Sequence, residues 1–380
     1  MNGPRAIETT KRADALVLGG GIVGASVALH LRRRGLTAIL IERDRVGQRA
    51  SGVNFGGVRQ QGRALIELPL SRRARQMWSD LPQLIGIDGE FVAGGHLRLG
   101  RSDADMAVIE QHCRDAARYG ANFELLGRNA VRTRFPWLGA VVVGGSFSAE
   151  DGQANPRLVS PAFADAARRA GAEIQEGVEI VAGTSEPGAF RLTARHGTEY
   201  VAPRLFNCAG AWAGEVAGWF GEGVAIKPEA PQVMVTEPIA HRIDPVLGVV
   251  GGDLYLRQIS RGNVIFGGGE GAISEDWLRS RPKPDVARLA CRTAVAVVPH
   301  LKNAAIIRMW TGVDGDTTDG SPVVGSSRRH EGLFHAFGFC GHGFQLGPAA
   351  GAALVDLAVD GRCETDISGL GIERFLGGVN

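Results

Sequence analysis

Leu16-Val17-Leu18-Gly19-Gly20-Gly21-Ile22-Val23-Gly24 is the stretch from which the rest of the chain is read. Ala15 to Leu18 are all apolar, the pattern of a short strand buried on both faces. Gly19, Gly21 and Gly24 then follow as G-x-G-x-x-G. Ala25 to Arg34 predict a helix with Val27, Ala28 and Leu31 on one face, and Gly35 predicts its stop. Thr37 to Ile41 make a second apolar strand that ends at Glu42, with Arg43 behind it. In such a unit Gly19 permits the tight strand-to-helix turn. Gly21 leaves room for a pyrophosphate, and Gly24 lets the helix pack closely on the sheet. The N–H groups of Ile22 and Val23 sit at the positive end of that helix, which suits a phosphate charge. Glu42 comes about 20 residues after the first glycine, where a carboxylate accepts hydrogen bonds from an adenosine ribose. It also repels a 2′-phosphate and so argues against NADP. The unit predicts a dinucleotide site without separating FAD from NAD; a plain βαβ packing unit is the alternative.

The chain has 380 residues, enough for two domains. Its 55 glycines are roughly twice ordinary usage and are not periodic, which fits many tight turns and close backbone–ligand contacts. With 42 basic and 40 acidic residues there is no excess charge to drive nucleic-acid binding. Five scattered cysteines without a C-x-x-C disfavour zinc ribbons and iron–sulfur clusters, so no metal is expected. Reduced thiols, the lack of an apolar leader and the lack of a long apolar run suggest a cytoplasmic protein with no integral membrane segment.

Further along, residues 45–63 are too rich in glycine and polar groups for a regular element. They read as a loop lying on a ligand. Ser51 can meet a phosphate, and Asn54, Gly56 and Gly57 can present backbone to a ring; an ordinary surface loop is the alternative. Residues 64–85 read as helix interrupted at Pro69, and Phe91–Leu99 as a strand. Ser102 predicts the N-cap of a helix over 103–119. Asn155-Pro156 predicts another helix start. Tyr200–Phe206 reads as one strand ending in Asn207-Cys208-Ala209-Gly210-Ala211-Trp212, small residues suited to a cofactor. Residues 230–270 read as an antiparallel sheet with a hairpin through Ser260-Arg261-Gly262. Leu333–Phe339 is strand-like, and Cys340-Gly341-His342-Gly343-Phe344-Gln345 opens a final helix whose dipole can face an electron-accepting group.

Taken in order, Gly19–Gly24, Glu42-Arg43, Ser51–Gln61, Asp151–Pro156, Asn207–Trp212, Tyr255–Arg257, Trp310–Gly325 and Gly338–Gly351 resemble the FAD-dependent D-amino-acid-oxidase-like amine oxidoreductases. That family includes glycine oxidase, sarcosine oxidase β subunits, opine oxidases and D-hydroxyproline dehydrogenases. The resemblance is strongest to the β-like subunits, through Asn54–Gln61 and Gly338–Pro348. It implies an α/β chain: a Rossmann-type FAD-binding domain and a second, α+β substrate domain on a mostly antiparallel sheet. The expected division is 1–85, 146–215 and 300–380 for the first, and 86–145 and 216–299 for the second. It implies oxidation of a C–N bond α to a carboxylate, in an N-substituted or D-amino acid or an opine.

The resemblance also implies site residues. FAD would meet Gly19, Gly21, Ile22, Val23, Gly24, Glu42, Arg43, Ser51, Asn54, Gly56, Gly57, Val178, Ala209, Gly210, Trp212, Gly341, His342, Gly343, Phe344 and Gln345. Tyr255, Arg257, Arg59, Asp314 and His342 would face the substrate. Glycine-oxidase-like members carry an arginine near position 314 for the substrate carboxylate. Asp314 cannot serve so; either Arg257 or Arg59 takes over, or the substrate brings a cation there, and a turn residue is the plain alternative. Tyr255 as an ordinary strand tyrosine and His342 as a helix cap are likewise open. No histidine stands near Asp151–Pro156 to anchor a second flavin, and no cysteine matches the one that links FAD covalently, so the FAD is expected to be non-covalent. Partner subunits of a heteromeric oxidase are a further expectation, and an NAD-dependent dehydrogenase is the runner-up.

Overall fold

The computed structural model describes residues 10–377. Ala15–Leu18 lies inside a six-stranded sheet, every one of its residues buried. Its parallel neighbours are Ala38–Glu42 on one side and Leu205–Asn207 on the other. Glu173–Glu176 extends the first side. Leu333–Phe337 and then the antiparallel Val323–Ser326 extend the second. Helices Ile22–Arg33, Leu68–Ser79, Pro156–Arg169 and Gly343–Asp360 cover one face, packed in one core with Val17, Leu40 and Phe206. On the other face a meander of Ile180–Glu186, Ala189–Ala194 and Glu199–Ala202, joined by Thr10–Arg12, covers Leu16, Leu18, Ile39 and Ile41.

The second lobe is an eight-stranded sheet. Its order is Ile306–Thr311, Pro231–Pro238, Asn263–Glu270, Tyr255–Gln258, Val246–Val249, His96–Gly100, Gly144–Ser148, Glu124–Gly127. All its pairs are antiparallel except Val246–Val249 with His96–Gly100. One face buries Leu97, Leu99, Leu247, Leu256 and Phe266 against Ala287, Ala290 and Ala294 of helix Pro284–Val297. Strand alternation turns His96, Arg98, Tyr255 and Arg257 to the opposite face, toward the first lobe.

Several local expectations shift. Pro69 does not interrupt a helix; it occupies the first turn of Leu68–Ser79, where a missing N–H costs nothing. Tyr200–Phe206 divides into Glu199–Ala202 in the meander and Leu205–Asn207 in the six-stranded sheet. Phe91–Leu99 is regular only from His96. Ile306–Thr311, expected in the first lobe, is an edge of the large sheet, paired antiparallel with Pro231–Pro238. Residues 146–148, also placed in the first lobe, belong to Gly144–Ser148 of the large sheet.

Candidate active site

A cavity of about 750 Å3 runs between the lobes, from the Gly19 turn to the large sheet. Its first half is shaped by backbone. A β-carbon on Gly19, which sits at φ +106, would lie 2.3 Å from the Cys208 carbonyl oxygen, and one on Gly21 would lie 2.9 Å from Ser51 Oγ. Gly24 lines no cavity; a β-carbon there would lie 2.0 Å from the Gly19 carbonyl, so it serves helix packing. Ser51 Oγ accepts the Ile22 N–H at 3.0 Å. The N–H groups of Val23 and Gly24 donate to nothing among the described residues, leaving two donors at the positive helix end.

Glu42 lines the cavity and accepts the Gly20 and Asp44 N–H groups, each at 2.7 Å. Burial pushes its pKa up, and those two N–H bonds work against the rise. Arg43 lies over Trp212, with Cζ 4.2 Å from the ring centroid; its buried Nε stands 3.8 Å from Asp44 Oδ2 and has no hydrogen-bond partner among the described residues. Val178 spends its N–H on the Glu42 carbonyl at 2.9 Å, which leaves its carbonyl to offer a ligand. Ala209, Gly210 and Trp212 complete this half. Behind them stands a fully buried relay: Asn207 Oδ1 accepts the Ala209 N–H at 3.4 Å, Asn207 Nδ2 meets His335 Nδ1 at 3.3 Å, and His335 Nε2 meets Glu222 at 3.1 Å.

Midway, Asn54 closes its own turn. Its amide donates to the Ala50 and Ser51 carbonyls and its oxygen accepts the Gly56 N–H at 2.8 Å. Gly56, at φ +84, has the Ala154 carbonyl 2.3 Å from where a β-carbon would be, so only glycine fits. Gly57 follows on the wall. From the C-terminal side Gly341, Gly343 and Phe344 line the cavity. Asp314 lines it too, its two oxygens accepting the Gly341 N–H at 3.0 Å and the Gly315 N–H at 2.9 Å. Burial raises its pKa and the N–H bonds oppose the rise.

Three expected site residues point elsewhere. Gln345 faces the helical layer: it exchanges hydrogen bonds with Ser71 at 2.9 and 3.1 Å. His342 is off the cavity wall, with Nδ1 3.0 Å from both oxygens of Glu67. Burial, with Arg63 nearby, holds its pKa down to about 4, so the ring is neutral. Arg257 is sealed behind Gly56 and Phe55; Nη1 donates to Gln153 at 3.0 Å, Nε has no partner among the described residues, and burial lowers its pKa to about 10. Tyr255 does line the cavity, yet its hydroxyl donates to the Gln232 carbonyl at 3.0 Å and its ring meets Phe55 at 4.8 Å.

The far wall holds residues that the sequence did not single out. Arg63, His96 and Arg98 join Arg59 and Gln61 there. The signal was present as the alternation His96-Leu97-Arg98-Leu99, which ordinarily means a solvated polar face. Here that face meets a cavity. Gln61 Nε2 donates to the His96 carbonyl at 3.0 Å and to His96 Nδ1 at 2.9 Å, while its oxygen accepts Ser146 Oγ–H. Nδ1 is therefore an acceptor and Nε2 carries the proton. Burial and the flanking Arg59, Arg98 and Arg63 push the His96 pKa far below its ordinary value, which keeps the ring neutral.

Among the described residues no cluster is suited to a metal ion, and no helix is long and apolar enough to cross a membrane. A family model described as FAD dependent oxidoreductase matches residues 14–357. The chain belongs to that family. An opine oxidase subunit from Rhizobium meliloti is 26% identical over 376 residues, covering 95% of this chain and 97% of that relative. Glycine oxidase of Bacillus licheniformis is 26% identical over 373 residues, covering 94% and 95%. The crystal structure of L-proline dehydrogenase from P. horikoshii superposes with a TM-score of 0.89 at 25% identity, covering 97% of this chain and 98% of that one. The protein is thus an FAD-dependent oxidoreductase, and the residues present fit the cofactor. The glycine cradle, the unbonded Val23 N–H and the Arg43 Nε that lacks a hydrogen-bond partner among the described residues are what a dinucleotide occupying the first half would satisfy.

Proposed function

We propose that the protein oxidises the C–N bond of an N-substituted or D-amino acid, the resulting imine then hydrolysing in water. The observation that carries this reading is the cavity itself. One continuous space joins the FAD-type cradle to a wall with both apolar groups, Val233 and Leu254, and the guanidinium groups of Arg59 and Arg98, which have no ion-pair partner among the described residues. Bound FAD supplies the hydride acceptor, its N5. The first-half residues Gly19, Gly21, Ile22, Val23, Glu42, Arg43, Ser51, Val178, Ala209, Gly210 and Trp212 hold it, with Asn54, Gly56, Gly57, Gly341, Gly343 and Phe344 farther along. The chain's own work is to orient the substrate C–H bond and exclude water. Hydride loss needs a neutral amine. Arg59 and Arg98, cations on the wall, lower the pKa of an amine bound beside them and so favour that form.

Relatives named for opine, glycine and sarcosine oxidation agree with this class of substrate. A non-covalent FAD is consistent with the cysteines: Cys208 is the one lining the cavity among the described residues, and burial pushes its thiol pKa far up. The deciding experiment is anaerobic bleaching of the purified yellow protein by sarcosine, glycine, D-proline, D-hydroxyproline, octopine and nopaline. Bleaching by one or more of them, with FAD released by acid, is expected. A colourless protein that FAD does not reconstitute, or a flavin that none of them reduces, refutes the reading.

A second reading rests on the edge strand Ile306–Thr311, where Ile307 and Met309 are 60% and 42% exposed. Such an edge suits a partner, and some relatives are named as subunits, among them those of an opine oxidase and a sarcosine oxidase. Dye-linked activity of the chain alone, against the chain co-expressed with neighbouring open reading frames, separates the two.

A further inference from the structure

We propose that Arg98, Arg59 and Arg63, with the Nε2–H of His96, form the carboxylate-recognition subsite of the substrate cavity, and that it takes a single carboxylate. The proposal rests on the amino-acid reading above and says where the acid end of that substrate lies.

Arg98 lines the cavity, and its guanidinium makes no hydrogen bond or ion pair with any described residue. Arg63 is 3% exposed, donates from Nε to the Arg59 carbonyl at 3.1 Å, and leaves a buried Nη1 without a partner among the described residues. Arg59 spends Nη1 on the Gln61 carbonyl and is ion-paired to nothing described. A half-desolvated cation without an ion-pair partner is costly, and an arriving anion removes the cost.

A β-carbon on Gly62 would lie 3.1 Å from Arg59 Nη1 and 3.8 Å from Arg98 Cζ, so both cations flank one small space. His96 Nε2 is 3.2 Å from where a β-carbon on Gly248 would stand, and Gly248 lines the cavity as well. A neutral N–H beside two guanidinium forks is a donor set matched to a carboxylate and empty of acceptors.

Two buried carboxylates, Asp151 and Glu67, act on Arg59 and Arg63, neither acts on Arg98, and neither lines the cavity. Both are already committed. Asp151 accepts the Gln60 and Gln61 N–H groups at 2.9 and 3.1 Å, and Glu67 takes His342 at 3.0 Å and the Ala64 N–H at 3.2 Å. Three positive groups against two negative ones leave one positive charge, which one carboxylate neutralises.

Tyr255 and Arg257 are weaker claimants. The first donates its hydroxyl elsewhere and the second does not reach the cavity.

The test uses holoprotein and two probes of one shape, acetate and acetamide, read by perturbation of the flavin absorption spectrum. Wild-type protein is expected to bind acetate at least tenfold more tightly than acetamide. Arg98→Gln should weaken acetate about tenfold to a hundredfold, the worth of a charge-assisted hydrogen bond, and leave acetamide unchanged. Arg98→Lys should fall between, since it keeps the charge and loses the fork. Arg98 is half-buried at the wall, so these variants are expected to fold, as equal flavin content will verify. Equal binding of acetate and acetamide, or an acetate constant untouched by Arg98→Gln, overturns the subsite. The amine panel reports separately. If a substrate still bleaches the flavin while Arg98→Gln leaves acetate binding unchanged, the subsite fails and the amino-acid reading stands. If acetate behaves as expected and nothing in the panel reduces the flavin, the reverse holds.

Discussion

Around Gly19 the cavity is shaped chiefly by backbone, drawn mostly from the run between Gly19 and Ser51, with Glu42, Arg43 and Trp212 beside it; around Arg98 it is made of side chains from Arg59, Gln61, Arg63, His96, Arg98, Tyr255 and Asp314. The first half recognises a ligand by absence, through missing β-carbons and unbonded N–H groups. The second recognises by charge, with arginines left unpaired on one wall and Asp314 on another. Backbone recognition tolerates no added atom, whereas side-chain recognition can be retuned one residue at a time. A family that keeps one cofactor and varies its substrate needs that division.

The comparison can be broken at either end. The largest effect is expected from Gly24→Ala, whose new methyl group would press on the Gly19 carbonyl 2.0 Å away. It should cost about 3 kcal/mol, the upper end for overpacking, and at least about tenfold in FAD affinity. Melting temperature and flavin content of the purified variant measure both; a yellow protein of unchanged stability would show that the backbone half is softer than described.

Next comes Glu222→Gln, which cuts the relay behind Ala209. Burial raises the Glu222 pKa, but hydrogen bonds from His335, Ser327 and the Arg328 N–H outweigh it and bring the carboxyl from 4.5 down to about 2. A lowered carboxyl pKa means stability that is present above pH 4.5 and lost as pH falls toward 2. It is worth roughly 2–3 kcal/mol. The melting gap between wild type and variant should therefore be widest near pH 7 and shrink between pH 4.5 and 3. A gap that does not change over that range removes the charge from the account.

In the side-chain half, Asp314→Asn sharpens the contrast. If the Asp314 carboxylate faces a cationic part of the substrate, KM should rise about tenfold for guanidinium-bearing substrates and little for neutral ones. An equal change for both classes leaves Asp314 as the clamp that joins Gly315 to Gly341. The smallest effect serves as a control outside both halves. Ser102 Oγ accepts the Asp105 N–H at 3.1 Å and caps helix Asp103–Ala117, so Ser102→Ala should cost about 1 kcal/mol, read by denaturant unfolding, with flavin content and KM unmoved.

Legibility in the sequence follows the same division. The glycine turn, Glu42 and the Gly341–Phe344 turn could be read because their chemistry depends on local spacing, and each lies on the cavity; Ser51–Gly57 lies there too, but the expected loop contains a short helix, Ala50–Val53, and the start of a short strand, Gly57–Val58. Caps at Ser102 and Asn155 were legible for the same reason. Arg98 was not. Its neighbours Leu97 and Leu99 mark a half-buried strand, and nothing local tells a solvated face from one that meets another lobe. Arg257 failed in the opposite direction. It shares a strand face with Tyr255, but the Gly56 turn closes over it, a contact set by residues about 200 positions away. Gln345 follows two wall residues and still points away, because helical rotation carries its amide to Ser71.

The order of strands has a consequence for how this molecule is born. Leu205–Asn207 pairs with Ala15–Leu18 on one edge and with Leu333–Phe337 on the other, and helix Gly343–Asp360 lies against Ile22–Arg33. A ribosome therefore releases the glycine turn long before its final neighbours exist. The nascent chain must wait with an open sheet edge and a bare helix flank, and it becomes competent to hold its flavin only after residues 333–360 have been made.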